Sequence, residues 1–286
     1  MREIVIISGK GGTGKTSVTA SFAVLAGDAV LADCDVDAAD LHLLLAPQVI
    51  ERHEFRSGHQ AVIRTESCSG CGTCQRLCRF GAIRATGDRF EVDPVGCEGC
   101  GVCVRFCPEQ AIDFPESVCG EWMVSRTRCG PMVHARLGVA AENSGKLVST
   151  VRKEARRIAE TGPHPLLLVD GPPGIGCPVI ASLTGASLVL AVTEPTVSGA
   201  HDLDRVLALA RHFQIPASVC VNKWDLNPEM ADTIETAARQ KDARPAGRIR
   251  YDPGVTRAQL VAKTVVETDT VAAEDIRRLW DELFLI

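Results

Sequence analysis

Gly9-Lys10-Gly11-Gly12-Thr13-Gly14-Lys15-Thr16 follows the apolar run Ile4-Val5-Ile6-Ile7 and precedes Val18, Phe22 and Leu25 at helical spacing. The order is strand, glycine turn, helix. Glycines in such a turn let backbone N–H groups converge on phosphate oxygens, and the helix aims its positive end at the same anion. The spacing therefore reads as a phosphate-binding loop, with Lys15 on the β and γ phosphates and the Thr16 hydroxyl on Mg²⁺. Gly9, Gly11 and Gly14 also satisfy a dinucleotide-binding pattern, with Asp35 about twenty positions on. Lys15-Thr16 decides for the phosphate loop, because a dinucleotide turn needs neither residue.

Outward from the loop, the pattern stays α/β. A helix is expected over Lys15–Ala26 and a second strand over Ala29–Ala32, ending at Asp33. That βαβ order predicts a parallel sheet. Further along, Lys146–Glu160 reads as a helix, and Leu166–Val169 as an apolar strand ending at Asp170 before Gly171-Pro172-Pro173-Gly174. Ser187–Val192 and Ser218–Val221 read as buried strands flanking a helix at Leu203–Phe213. A terminal helix is expected over Ala272–Ile286, with Ile276, Leu279, Trp280 and Leu283 on one stripe.

The α/β pattern breaks after Ala46-Pro47. Cys68-x-x-Cys71-x-x-Cys74-x-x-x-Cys78 recurs as Cys97-x-x-Cys100-x-x-Cys103-x-x-x-Cys107, and the residues after each run also agree, Phe80-Gly81-Ala82-Ile83 against Glu109-Gln110-Ala111-Ile112. Eight of the 13 cysteines lie in these runs, and clustering of this kind points to metal rather than disulfides. Each run has the bacterial ferredoxin spacing, in which three thiolates bind one [4Fe–4S] cluster and the fourth binds the other. One cluster then takes Cys68, Cys71, Cys74 and Cys107; the second takes Cys97, Cys100, Cys103 and Cys78. Pro108 follows the second run as the pattern expects, whereas Arg79 stands there after the first. Structural zinc on the C-x-x-C pairs is the alternative. Of the other cysteines, Cys34 and Cys220 read as core residues, and Cys119 and Cys129 leave a redox or bridging role open.

Composition narrows the classes. At 286 residues, with 45% hydrophobic and 23% charged residues, the chain has ordinary globular make-up and needs no disulfides to hold a core. A net charge of −5 leaves no electrostatic footprint for general nucleic-acid binding. No run of eighteen apolar residues is present, so no spanning helix is expected, and the short apolar run at the N-terminus does not read as a signal peptide. The expected location is the cytoplasm.

Lys10, a second lysine at the start of the loop, gives the chain a resemblance to the MinD/ParA/NifH class of P-loop ATPases. With the two cysteine runs inserted, it resembles MinD-superfamily ATPases that carry a ferredoxin domain. Other stretches share that likeness: Asp35-Val36-Asp37 with Leu41-His42-Leu43, Gly130–Ala135, Glu142–Leu147 and Asp170–Gly176. The resemblance implies a mostly parallel-sheet P-loop NTPase domain over residues 1–60 and 116–286, and an inserted α+β domain with two [4Fe–4S] clusters over 61–115.

It also implies roles. Lys10 would reach across a dimer interface to a partner's nucleotide, with Lys10, Lys15 and Asp35 as the catalytic set. Asp35 would position the attacking water. Thr16, Asp33 and Asp170 would serve Mg²⁺. Gly9 to Ser17, namely Gly9, Lys10, Gly11, Gly12, Thr13, Gly14, Lys15, Thr16 and Ser17, would hold ATP, and Asn222 of Asn222-Lys223-Trp224-Asp225 would contact adenine, with GTP a minor alternative. Tyr251-Asp252-Pro253 would form the other side of the base pocket or an ordinary turn. Asp37 and Asp40 read as turn or cap residues, and His134 as a structural histidine.

The expected function is a dimeric ATPase switch, homodimeric or paired with a related ATPase, that hydrolyses ATP slowly and passes electrons to a redox partner protein. A cluster carrier or assembly factor and an ATP-dependent regulatory module without redox turnover are the alternatives. The acidic polar face of the terminal helix (Glu274, Asp275, Asp281, Glu282) disfavours membrane attachment of the MinD type.

Overall fold

The apolar run Ile4–Ile7 occupies the middle of a sheet and is fully buried. The computed structural model describes residues 1–138 and 144–284. In chain order its elements are β1 (Arg2–Ser8), α1 (Lys15–Ala26), β2 (Val30–Asp33), α2 (Leu41–Leu45), β3 (Gln48–His59), β4 (Val62–Ile63), α3 (Thr73–Leu77), β5 (Ile83–Thr86), β6 (Arg89–Val92), α4 (Val102–Arg105) and β7 (Ile112–Asp113). There follow β8 (Glu116–Thr127), β9 (Gly130–Leu137), α5 (Ser144–Thr161), β10 (Leu166–Pro173), α6 (Cys177–Leu183), β11 (Leu188–Thr193) and α7 (Val197–His212). The chain closes with β12 (Ala217–Asn222), α8 (Pro228–Arg239), β13 (Arg244–Ile249), α9 (Pro253–Gln259) and α10 (Val271–Phe284).

The chain divides into two units. One comprises Met1–His53, Trp122–Arg136 and Ser144–Ile286; the other comprises Glu54–Glu121 and Leu137–Asn143. The expected helix-start segment Glu142-Asn143 and the last two residues of the expected terminal helix lie outside the described residues.

The nine-stranded sheet has the order β13-β12-β11-β1-β10-β2-β9-β8-β3, of which residues 54–59 of β3 and 116–121 of β8 belong to the second unit. Pairing is parallel from β13 through to β9. The central strands are continuous apolar runs because helices cover both faces of a parallel sheet. Helix α5 buries Leu147, Val151, Ala155 and Ala159, one stripe at i, i+4 spacing. Helix α10 buries Ala272, Ile276, Leu279 and Leu283, and its Trp280 meets Phe22 of α1 edge-on at 5.2 Å. Ser8, Asp33, Thr193 and Asn222 close β1, β2, β11 and β12, and the register sets Asp170 of β10 level with Asp33, toward the carboxyl edge where open α/β sheets bind ligands.

The second unit is small. Strands β4 and β7 pair antiparallel, as do β5 and β6. The two cysteine runs take matching backbone forms. Gly70 and Gly72 have φ of +68° and +70°, and Gly99 and Gly101 have φ of +59° and +71°. Gly72 and Gly101 start the short helices α3 and α4. Left-handed backbone there admits glycine and little else, and a Cβ on Gly99 would stand 2.3 Å from the His59 carbonyl oxygen. The apolar centre is Ala61, Cys74, Ile83, Phe90 and Ile112.

Candidate functional site

The glycine loop joins β1 to α1 with no room to spare. A Cβ on Gly9 would lie 2.3 Å from Asp202 Cβ, and one on Gly14, at φ +92°, would lie 2.4 Å from Asn222 Nδ2. Helix α1 starts at Lys15 with no side-chain cap and no acid in its first turn. By contrast, Thr196, Asn227 and Asp252 cap α7, α8 and α9 with side-chain oxygens. The first N–H groups of α1 are thus left for an anion.

Around Lys15 sit three carboxylates. Its Nζ is 2.5 Å from Asp35 Oδ2, and both side chains are buried. Burial pulls the Lys15 pKa down, but Asp170, Asp35 and Asp33 outweigh it and hold the ammonium above its usual range. Asp33 is fully buried and accepts the backbone N–H groups of Asp35 (3.3 Å) and Leu41 (3.2 Å). Burial, then Asp170 and Asp35, push its pKa well up. Asp170 accepts the Thr19 hydroxyl at 3.1 Å through Oδ1, while its buried Oδ2 has no hydrogen-bond partner. Burial raises Asp170 to about 6, with Lys15 opposing. One lysine among three buried carboxylates, one of them with an orphaned oxygen, is a setting that suits a divalent cation.

The neighbouring loops are tied to this centre. The expected turn at Gly171-Pro172-Pro173 is instead the last stretch of β10, and Gly174 beyond it donates its N–H to the Ser8 carbonyl at 2.9 Å, fastening the end of β10 to the start of the glycine loop. Lys10 reaches Glu194 Oε2 and Ser198 Oγ, both at 3.3 Å, and Glu194 also holds Lys223 at 2.6 Å. Burial works to raise Glu194, but the two lysines outweigh it and keep its pKa low.

Asn222 donates to the Thr13 carbonyl at 2.8 Å and accepts the Lys223 N–H at 2.9 Å, which fastens β12 to the loop. A pocket with about 720 Å³ of atom-free space, open to solvent, is lined by Gly12, Gly14, Asn222, Ile249, Tyr251 and Val255 among others. Tyr251 and Asp252 line it too, and Asp252 also caps α9 through Gly254, so that segment is both pocket wall and helix start. Asp225 accepts the Tyr251 N–H at 2.7 Å.

Thus Lys15, Asp33, Asp35 and Asp170 come together, and Asn222 joins the loop backbone. Asp37 falls in a turn, and Asp40 precedes α2 without a side-chain cap bond; the Leu41 N–H is taken by Asp33. Sequence reasoning missed Glu194 and Ser198, and met Lys223 only as part of the Asn222–Asp225 motif. The usable signal for Glu194 was its place, an acid directly after a buried strand, much as Asp33 closes β2.

In the second unit, Cys68, Cys71, Cys74 and Cys107 line one small cavity of about 20 Å³, beside Ile63, Phe90 and Ile112. Cys78, Cys97 and Cys103 pack against the same apolar centre, and Cys100 is exposed. Among the described residues, no three Cys, His, Asp or Glu side chains are close enough to hold a single metal ion. All thirteen cysteines are free. The Cys119 thiol donates to the Ser57 carbonyl at 2.9 Å, and Cys34, Cys129 and Cys220 are buried. His134 is buried, with Nε2 2.8 Å from Ser125 Oγ.

A glycine loop between strand and uncapped helix, with a buried lysine among carboxylates at the carboxyl edge of a parallel sheet, defines a P-loop nucleotide-binding protein. Residues 4–265 match the family described as the CobQ/CobB/MinD/ParA nucleotide binding domain, and the chain belongs to that family.

An uncharacterized Methanocaldococcus jannaschii protein, MJ0578, is 35% identical over 233 residues, 79% of each chain. A second from the same organism, MJ0579, is 23% identical over 234 residues, covering 79% of this chain and 82% of the relative. Among solved structures, the septum site-determining protein MinD of Pyrococcus horikoshii with Mg-ADP aligns at TM-score 0.60 and 20% identity, covering 99% of this chain and 96% of that one. MinD in the MinC:MinD complex of Aquifex aeolicus aligns at 0.61 and 18%, covering 100% and 96%. At these identities the structures speak for the fold. No helix among the described residues is long and apolar enough to cross a membrane.

Proposed function

We propose that this chain is a dimeric MinD/ParA-type ATPase that couples its nucleotide state to electron transfer through two [4Fe–4S] clusters held by a ferredoxin-like insertion at 61–115. One observation carries the redox half. Cys107 lies 33 residues beyond Cys74, yet it lines one cavity with Cys68, Cys71 and Cys74, the set that the crossed ferredoxin register assigns to a single cluster. A cubane spreads its four thiolates over the corners of a body wider than one ion. Ligands that line a common cavity without converging on a single-ion position fit that need better than zinc, which draws its sulfurs to about 2.3 Å. When bound, the clusters supply one-electron chemistry.

The nucleotide half rests on Lys15 and its carboxylates. Phosphate oxygens entering the loop compete with Asp35 for the Lys15 ammonium. Asp35, once released, is free to accept a hydrogen bond from the attacking water. Thr16 and Asp170 would hold Mg²⁺, Asp170 through its orphaned oxygen, while Asp33 supports them by fixing the backbone at Asp35 and Leu41. Asn222 positions the loop at Thr13 and walls the base pocket, which we assign to adenine. Lys10 would leave Glu194 to reach the partner's phosphates, a positive charge supplied in trans. The partner is a second copy or a related chain; two relatives of differing identity in one organism support the latter form.

The test is ATP hydrolysis by protein purified without oxygen, with clusters oxidised and then reduced by dithionite. Iron and sulfide content should first reach about eight of each per chain. A rate that depends on redox state is expected; a rate indifferent to it favours clusters as cargo.

A further inference from the structure

The arginines of the second unit fall into two groups. Between Glu54 and Glu121 there are seven arginines and no lysine. Arg56, Arg64 and Arg84 pair with Glu54, Asp113 and Asp93, and Arg89 bonds the Cys68 carbonyl. The remaining three, Arg76, Arg79 and Arg105, have no carboxylate partner among the described residues, and all three are exposed. Glu98 and Glu109 are near in sequence, but neither pairs with an arginine.

These three sit on or beside α3 and α4, which pack against each other. Arg76 and Arg105 occupy equivalent places in the two cysteine runs, two residues before the fourth cysteine. The residue between is apolar and exposed in both, Leu77 at 39% and Phe106 at 58%. Phe80 is 42% exposed, with the Arg79 guanidinium 5.1 Å from its ring centroid. Arginines without a carboxylate partner and exposed apolar side chains thus flank Cys78 and Cys107 in sequence, on and beside two helices that pack together; the crossed register gives these two cysteines to opposite clusters. On a chain of net charge −5, free cations concentrated here mark a surface kept for a partner.

We infer that this surface docks a small acidic one-electron carrier, a ferredoxin or flavodoxin with a carboxylate-rich face. The inference rests on the two-cluster reading above and names the class of its redox partner. One electron passes between a cluster and the carrier's centre. One is oxidised as the other is reduced, and no covalent bond forms or breaks. Weak apolar contact with strong charge steering suits a transient encounter.

The experiment is calorimetric titration of the full-length protein, purified without oxygen, with an acidic flavodoxin as probe and basic cytochrome c as counter-probe. Flavodoxin should bind, and bind more weakly as salt rises. The triple reversal Arg76→Glu, Arg79→Glu, Arg105→Glu should weaken it at least about tenfold. The milder triple Arg→Gln variant should fall between, and Arg84→Glu should change it less than about twofold.

An unchanged affinity in the triple reversal, equal loss in Arg84→Glu, or tighter binding of cytochrome c would each overturn the inference. So would salt-dependent self-association, abolished by the triple reversal, in sedimentation velocity, since a second copy would then own the surface. Iron and sulfide analysis of the same preparations separates the two failures. Absent clusters sink the underlying reading, whereas intact clusters with indifferent arginines sink only the docking surface.

Discussion

Lys15 Nζ lies 2.5 Å from Asp35 Oδ2 inside one chain, the phosphate-loop lysine held by the carboxylate assigned to the attacking water. On the proposed reading, two groups that serve hydrolysis occupy each other until phosphate separates them. Lys15→Ala should lose nucleotide affinity at least about 100-fold, because a buried cation facing phosphate is removed. Asp35→Ala should bind ATP as well as or better than the parent, since the competitor for Lys15 is gone. Its turnover should drop about 100-fold or more. Equilibrium binding of a fluorescent ATP analogue and steady-state phosphate release separate these effects. Weaker ATP binding by Asp35→Ala would refute the competition.

A second pair governs the lysine assigned to act in trans. Glu194 holds Lys10 at 3.3 Å with Lys223 on its other side. A partly exposed ion pair is worth up to about 1 kcal/mol. Glu194→Gln should therefore raise ATP-dependent dimerisation by up to about fivefold in sedimentation velocity. Lys10→Ala should bind ATP normally yet fail to hydrolyse it.

The crossed cluster ligands make a stoichiometric prediction. Cys107→Ser should lower iron from about eight to about four per chain, because Cys68, Cys71 and Cys74 lose their fourth thiolate. Cys119→Ser, whose thiol bonds only backbone carbonyls, should leave iron content unchanged.

Away from both sites, buried Asp275 accepts the Arg250 backbone N–H at 3.0 Å and the guanidinium through both oxygens at 2.7 Å. Burial alone would raise its pKa, but Arg250 outweighs this and holds it below 3.8. A depressed carboxylate contributes stability above its unfolded pKa and loses it as pH falls through the folded value. Asp275→Asn should therefore lower Tm by a few degrees at pH 7, and the gap should close below about pH 4. A gap constant across that range in thermal unfolding would contradict the assignment.

What the sequence disclosed followed from how local the signals were. Helix α1 runs over Lys15–Ala26 as expected, since its glycine turn, periodicity and closing Gly27 lie within one stretch. Asp170 after the apolar run Leu166–Val169 was legible for the same reason, although β10 runs on to Pro173, and so were the paired cysteine runs. Strands β3 and β8 were missed because neither carries the alternation that marks a half-buried strand; eight of the first ten positions of β3 are exposed. Helices α8 and α9 were missed because Asn227-Pro228 and Asp252-Pro253 look like turns, although each is a cap followed by proline at a helix start. The Glu194 contact joins residues 184 positions apart and needed the fold. The roles of Lys10, Asp35 and Asn222 came from the family likeness rather than from their spacing.

The central claim is coupling between nucleotide and clusters, and ATP affinity is its most direct measure. Titration of ATP binding should be run on the same cluster-loaded protein, oxidised and then reduced. Coupling predicts dissociation constants that differ about fivefold or more, with a matching shift in cluster potential by linkage. Equal constants at confirmed iron content would contradict it.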